Sequence, residues 1–206
     1  MIHYFQSNRR TRIYLDALAE VMGPHGLQAL LRLAGLDVWI ENSPPYDDAL
    51  GVDFADFMAL NRTLEDMYGP RGGRALALRA GRASFKEAVV ELCARQDLAG
   101  PAFKLLPVRS RIKTLLEVIV KGWAQQSQSE ATVTEEGGRF LYQLKACSVC
   151  WQRSDADRPV CNGILGFLQE ALEWAGAADE YQVEEVICSA AGGEEPGACV
   201  FAIYKQ

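Results

Sequence analysis

The sequence predicts an α+β domain: an antiparallel sheet with helices packed on it, and a helical N-terminal half. Three observations carry this. Apolar residues recur at three- and four-residue spacing from Ile13 to Trp123, the spacing changes to alternation after Gln128, and one more helical stripe falls between two strand-like pairs.

Ile13, Ala17 and Val21, flanked by Tyr14 and Leu18, form the first helical face, which Gly23-Pro24 stops and restarts. A short helix through Leu27, Leu30 and Leu31 follows, ending at Gly35. The turn formers from Asn42 to Asp48 make a loop. Phe54, Phe57, Met58 and Leu64 mark a helix from about Asp53 to Met67, which the stretch Tyr68-Gly69-Pro70-Arg71-Gly72-Gly73-Arg74 ends. Another helix passes through Leu76 and Leu78. Gly81 and Ser84 punctuate before a helix bearing Phe85, Val89, Leu92 and Cys93. From about Val108 a long helix presents Ile112, Leu115, Leu116, Ile119 and Trp123. Ala131 to Glu135 and Phe140 to Leu144, joined at Gly137-Gly138, read as a β-hairpin. A helix from Val160 to Trp174 and strands over 181–190 and 198–204 complete the order.

With 206 residues and 49% hydrophobic content, the chain is read as a single domain, residues 1–206, able to bury a sizeable core. A net charge of -6 argues against nucleic acid as a direct partner. No apolar run is long enough to span a membrane. The first ten residues lack a secretory h-region, so a cytoplasmic location is expected.

Of six cysteines, five fall between Cys147 and Cys199, while His3 and His25 are the only histidines. In a reducing compartment this pattern points to free thiols or metal ligation by sulfur and carboxylate. Cys147-Ser148-Val149-Cys150 has a spacing shared by metal knuckles and redox couples, and it follows a strand where a redox motif would open a helix. Cys161 falls at the start of the helix carrying Leu165, Leu168 and Leu172, where the dipole favours a thiolate. Glu185, Cys188 and Cys199 come from the last hairpin. Their convergence with Cys161 requires a bulge, since residues 185 and 188 face opposite sides of a regular strand. The other reading makes these cysteines small buried hydrophobes.

The runs Cys161-Asn162-Gly163-Ile164-Leu165-Gly166-Phe167, Val183-Glu184-Glu185-Val186-Ile187-Cys188 and Cys199-Val200-Phe201 resemble the 4-vinyl-reductase domain. There a cysteine opens a Gly-containing helix, a strand carries Glu-x-x-Cys, and a Cys-x-Phe follows. The resemblance extends from about Tyr68, through the glycine- and arginine-marked segments 68–74 and 79–85, to the C-terminus. It implies a fold shared with subunits of vesicle-tethering (TRAPP) complexes, a pocket for aromatic or hydrocarbon-like ligands, and structural zinc on Cys161, Glu185, Cys188 and Cys199, with Cys150 as a substitute ligand. It also implies a homodimer, with residues 1–67 as a helical extension involved in dimerisation and 68–206 as the core.

The ligand is expected between the long helix bearing Trp123 and the sheet face carrying Phe140 and Tyr142, because such pockets are apolar with few polar anchors. The leading function is a zinc-containing sensor or carrier of a small hydrophobic or aromatic ligand that signals to a separate output protein. The alternatives are a reductase or accessory factor in chlorophyll 4-vinyl reduction and a TRAPP-like adaptor. Catalysis has weak support: there is no GxGxxG fingerprint and no clear proton-donor constellation, so no catalytic residue is expected.

Overall fold

Ser7 caps the first long helix, its hydroxyl accepting from the Arg10 backbone N–H at 3.2 Å. In the computed structural model, which describes residues 3–95, 98, 100–192 and 198–206, that helix is α1 (Asn8–Met22). It follows the two-residue strand β1 (Phe5–Gln6). The Leu92 and Cys93 side chains, expected on a core face, and the turn at 193–197 lie outside the described residues. Gly23, at φ 80°, ends α1, and Pro24 opens α2 (Pro24–Leu33), whose Leu30 and Leu31 are buried. The short α3 (Val38–Glu41) and β2 (Val52–Asp53), which pairs antiparallel with β1, lead into α4 (Phe54–Arg95).

Where the sequence predicts three helices, α4 is one element with a kink. Gly69 (φ 70°, ψ 171°) supplies the break, and Pro70, lacking an N–H, restarts the helix. Gly81 and Ser84 do not interrupt it. The Ser84 hydroxyl donates back to the Ala80 carbonyl at 2.7 Å, and Gly81 is a packing residue. A short α5 (Pro101–Lys104) and α6 (Val108–Gln126) follow, with Ile112, Leu115, Leu116, Ile119 and Trp123 buried along α6.

Next come β3 (Ala131–Glu136), β4 (Arg139–Leu144), α7 (Asn162–Trp174), β5 (Tyr181–Cys188) and β6 (Cys199–Lys205). The four strands form an antiparallel sheet in the order β3-β4-β6-β5. The α+β architecture with a helical N-terminal half therefore agrees with the reading from sequence. α7 packs against α4. A Cβ on Gly81 would lie 2.0 Å from the Gly163 carbonyl oxygen, and one on Gly166 would lie 2.1 Å from that of Leu78. The two helices approach so closely that only glycine fits at the crossing. Their buried side chains join those of α1, α6 and the sheet in one core. No described helix is long and apolar enough to cross a membrane.

Candidate functional site: an interior cavity beside a five-cysteine cluster

A cavity of about 410 Å³ lies between the helical half and the sheet. Its wall draws on α1 (Arg10, Ile13, Tyr14), both halves of α4 (Phe57, Ser84, Val89), α6 (Ile119, Trp123), β4 (Tyr142) and α7 (Gly163, Ile164, Phe167). Trp123 and Tyr142, two of the three residues expected at a ligand, line it. Phe140 does not: its ring is wholly buried on the same strand, with the Arg109 guanidinium 4.6 Å from its centroid. Phe140 and Tyr142 share one face of β4, and Arg109 covers the Phe140 ring while Tyr142 faces the cavity. Tyr14, a core residue of the first helical stripe, also lines the cavity.

The exposed lining residues Tyr46, Asp48 and Glu87 mark where the wall reaches the surface. Their polar groups are engaged. The Tyr46 hydroxyl donates to Glu87 Oε1 at 2.7 Å, and Arg9 pairs with Asp48 at 2.9 Å. The segment 46–49 is tied to α1 by the Asn8 and Arg9 backbone N–H groups, which donate to the Ala49 and Asp47 carbonyls. Deeper in, the Arg10 guanidinium stacks over the Trp123 ring, 3.4 Å from its centroid. Burial pulls Arg10 down to about 10, still far above neutral, so it remains a cation. Among the described residues it has no carboxylate partner within ion-pair distance.

Behind Tyr142 the loop after β4, the start of α7 and the β5–β6 hairpin bring five buried free thiols together. Cys147 Sγ lies 3.4 Å from Cys161 Sγ, Cys150 Sγ 3.4 Å from Cys199 Sγ, and Cys161 Sγ 3.6 Å from Cys199 Sγ and 3.9 Å from Cys188 Sγ. Two four-residue sets have ligand atoms all within 4.8 Å: Cys147, Cys150, Cys161 and Cys199, and the set read from sequence, Cys161, Glu185, Cys188 and Cys199. The register of β5 against β6 shifts between Glu185 and Ile187, and this bulge lets Glu185 and Cys188 turn to one side. Cys161 stands at the N-cap of α7, and its backbone N–H donates to Glu185 Oε2 at 2.9 Å. Glu185 Oε1 is buried with no hydrogen-bond partner among the described residues. Burial, then the charge of Cys188, pushes Glu185 up to about 9, and burial also pushes the Cys161 thiol up.

No protein-family model matches the sequence, and no curated protein matches it. The solved structures it resembles include H-NOX proteins. The Fe(II) unliganded H-NOX protein from K. algicida is 14% identical with a TM-score of 0.56, over 97% of this chain and 96% of that one. The I5F mutant of T. tengcongensis H-NOX is 12% identical with a TM-score of 0.51, over 94% and 93%. A third structure, from work on heme distortion in the H-NOX family, is 11% identical with a TM-score of 0.52, over 94% and 90%. At these identities the likeness shows the fold.

This corrects the 4-vinyl-reductase-like and TRAPP-like assignment. The Glu-x-x-Cys and Cys-x-Phe spacings that suggested it are local features of a bulged hairpin, in which Cys188 pairs with Cys199 and Glu185 with Phe201. The zinc assignment rested on the same resemblance and falls with it, since the similar structures are described by Fe(II) and heme. Heme, which the fold then suggests, does not fit this cavity. Among the described residues its wall contains no histidine, cysteine or methionine to serve as an axial ligand. His3 is exposed and held by Asp53 at 2.8 Å, and His25 is exposed on α2. Burial raises both lining phenols, Tyr14 and Tyr142, above the usual range, which disfavours a phenolate ligand, and Tyr14 donates to Asn61 Oδ1 at 2.9 Å. The chain has the fold of the H-NOX structures, and the described residues of its cavity wall supply no ligand for a heme iron.

Proposed function

We propose that this chain is a small-molecule-binding sensor or carrier domain whose interior cavity takes an apolar, aromatic-sized organic ligand. The observation that carries this reading is the cavity itself. Its volume of about 410 Å³ lies in the range of ligand sites, and its wall is more apolar than polar, with the charged side chains Arg9, Asp48 and Glu87 engaged at the surface end. The similar structures are of domains named for heme-nitric oxide/oxygen binding, which supports ligand sensing as the use of the fold. Occupancy is relayed to a separate output chain or across a homodimer, which light scattering with and without ligand distinguishes. Calorimetric titration with 2-naphthylmethanol tests the cavity reading. Wild-type protein is expected to bind it, and Ala88→Phe, which fills the wall at a lining position, is expected to lose it. Equal binding by both would overturn the reading.

The cysteine cluster supports a second element, a thiophilic metal ion held by Cys147, Cys150, Cys161 and Cys199. Their four sulfur atoms all lie within 4.8 Å of one another, with separations of 3.4, 3.4 and 3.6 Å along the chain of contacts, close enough to share one ion. Cys161 and Cys199 also belong to the set read from sequence, and in this arrangement Glu185 positions Cys161 through its backbone N–H. The ion would cross-link the β4 loop, α7 and the β5–β6 hairpin, fixing the sheet side of the cavity. Metal analysis of Cys150→Ser and Cys188→Ser decides between the two sets: loss with Cys150→Ser alone supports the four-thiol shell, and loss with Cys188→Ser alone overturns it.

A further inference from the structure

We propose that the ligand of the cavity is a monocarboxylate with an aromatic body, its carboxylate on Arg10 and its rings among Ile13, Phe57, Val89, Ile119 and Phe167. This deepens the ligand-binding reading above and rests on it. The wall holds two cations and two acids, Arg9, Arg10, Asp48 and Glu87. Three are engaged at the surface end, Arg9 with Asp48 and Glu87 with the Tyr46 hydroxyl. Arg10 is the fourth. Stacking on Trp123 stabilises its plane but supplies no negative charge, and no carboxylate among the described residues lies within ion-pair distance.

A guanidinium held among protein atoms without a counter-ion is costly, and an incoming anion removes that cost. The chemistry selects the anion. The planar fork of arginine matches a carboxylate with two parallel N–H···O bonds, and with one face on the indole its edges remain for that contact. A dianion would leave a charge unmatched, because the second cation of the wall is already paired. The rest of the lining, with Phe57, Phe167 and aliphatic side chains, offers dispersion contacts to flat rings, and the Tyr14 and Ser84 hydroxyls among them already donate to Asn61 and to the Ala80 carbonyl.

The test is calorimetric titration of the full chain with 2-naphthoate and with 2-naphthylmethanol, which keeps the rings and replaces the carboxylate by a hydroxymethyl group. Wild-type protein is expected to bind the acid about 10- to 100-fold more tightly, the value of a charge-assisted hydrogen-bonded pair. Arg10→Gln is expected to abolish that preference while leaving the alcohol's affinity in place. Arg10→Lys, which keeps the charge and loses the fork, is expected to retain part of the preference and serves if the glutamine variant does not fold. Equal affinities in the wild type, or an undiminished preference in Arg10→Gln, would overturn this inference and leave the cavity reading standing. Binding of neither compound would overturn both.

Discussion

Gly81 of α4 and Gly163 of α7 meet with no room for a side chain: a Cβ on Gly81 would lie 2.0 Å from the Gly163 carbonyl oxygen. Both residues also line the cavity, so the helix crossing that closes the core forms one wall of the site. Gly81→Ala must push α7 backbone aside, and backbone does not yield as a flexible side chain does. The expected loss is about 3 kcal/mol, the upper part of the range for overpacking, read as a lower urea midpoint with an unchanged m-value. Ligand affinity should fall with it, and an alanine variant as stable as wild type would contradict this packing.

Arg153 ties the cysteine loop to the first half of α4. Its guanidinium donates two hydrogen bonds of 3.2 Å, one to each Glu65 oxygen, and the Arg153 side chain is only 6% exposed. Removing the carboxylate by Glu65→Ala leaves a largely buried cation with Asp155 as its remaining partner. The expected cost is about 2 kcal/mol in chemical denaturation, with Glu65→Gln losing less because one acceptor remains. An effect below about 0.5 kcal/mol, typical of surface changes, would place the pair among ordinary surface ion pairs.

The thiol cluster makes a spectroscopic prediction. Cobalt(II) added to reduced apoprotein is expected to bind one per chain, with intense thiolate-to-metal charge transfer and the visible bands of a tetrahedral site. Cys161→Ser should abolish the spectrum and Cys188→Ser should leave it in place. Stripping the metal with a chelator should lower Tm, because ligand binding to the folded state alone adds stability. A weak octahedral cobalt spectrum in the wild type would rule out the four-thiol shell.

Much of the fold was legible in the sequence because helix and strand periods differ. The Ile112 to Trp123 stripe and the hairpin at Gly137-Gly138 both stand where the pattern puts them. The glycines of α4 were not legible. Gly69, Gly81 and the flanking polar residues look alike as turn formers, yet one kinks the helix with a positive φ and another makes room for α7, a distinction that only a distant partner decides. The same limit applies to the site. The gathering of cysteines could be read, as could the need for a bulge at Glu185. Arg10 gave no signal, because an arginine in the first turn of an amphipathic helix reads as solvated, and its depth beside Trp123 depends on how α1 meets α6. The 4-vinyl-reductase-like reading failed for a related reason: short cysteine spacings record local hairpin geometry and do not identify a family.

On the proposed function, this H-NOX-like fold takes an organic ligand into its cavity without iron. The most direct measurement is native mass spectrometry of the full chain offered equimolar hemin and 2-naphthoate, with an absorption spectrum of the same sample. A 1:1 naphthoate adduct is expected in the wild type, with its loss in Ala88→Phe and no Soret band travelling with the protein. Stoichiometric hemin with a protein-bound Soret band, displacing naphthoate, would contradict it.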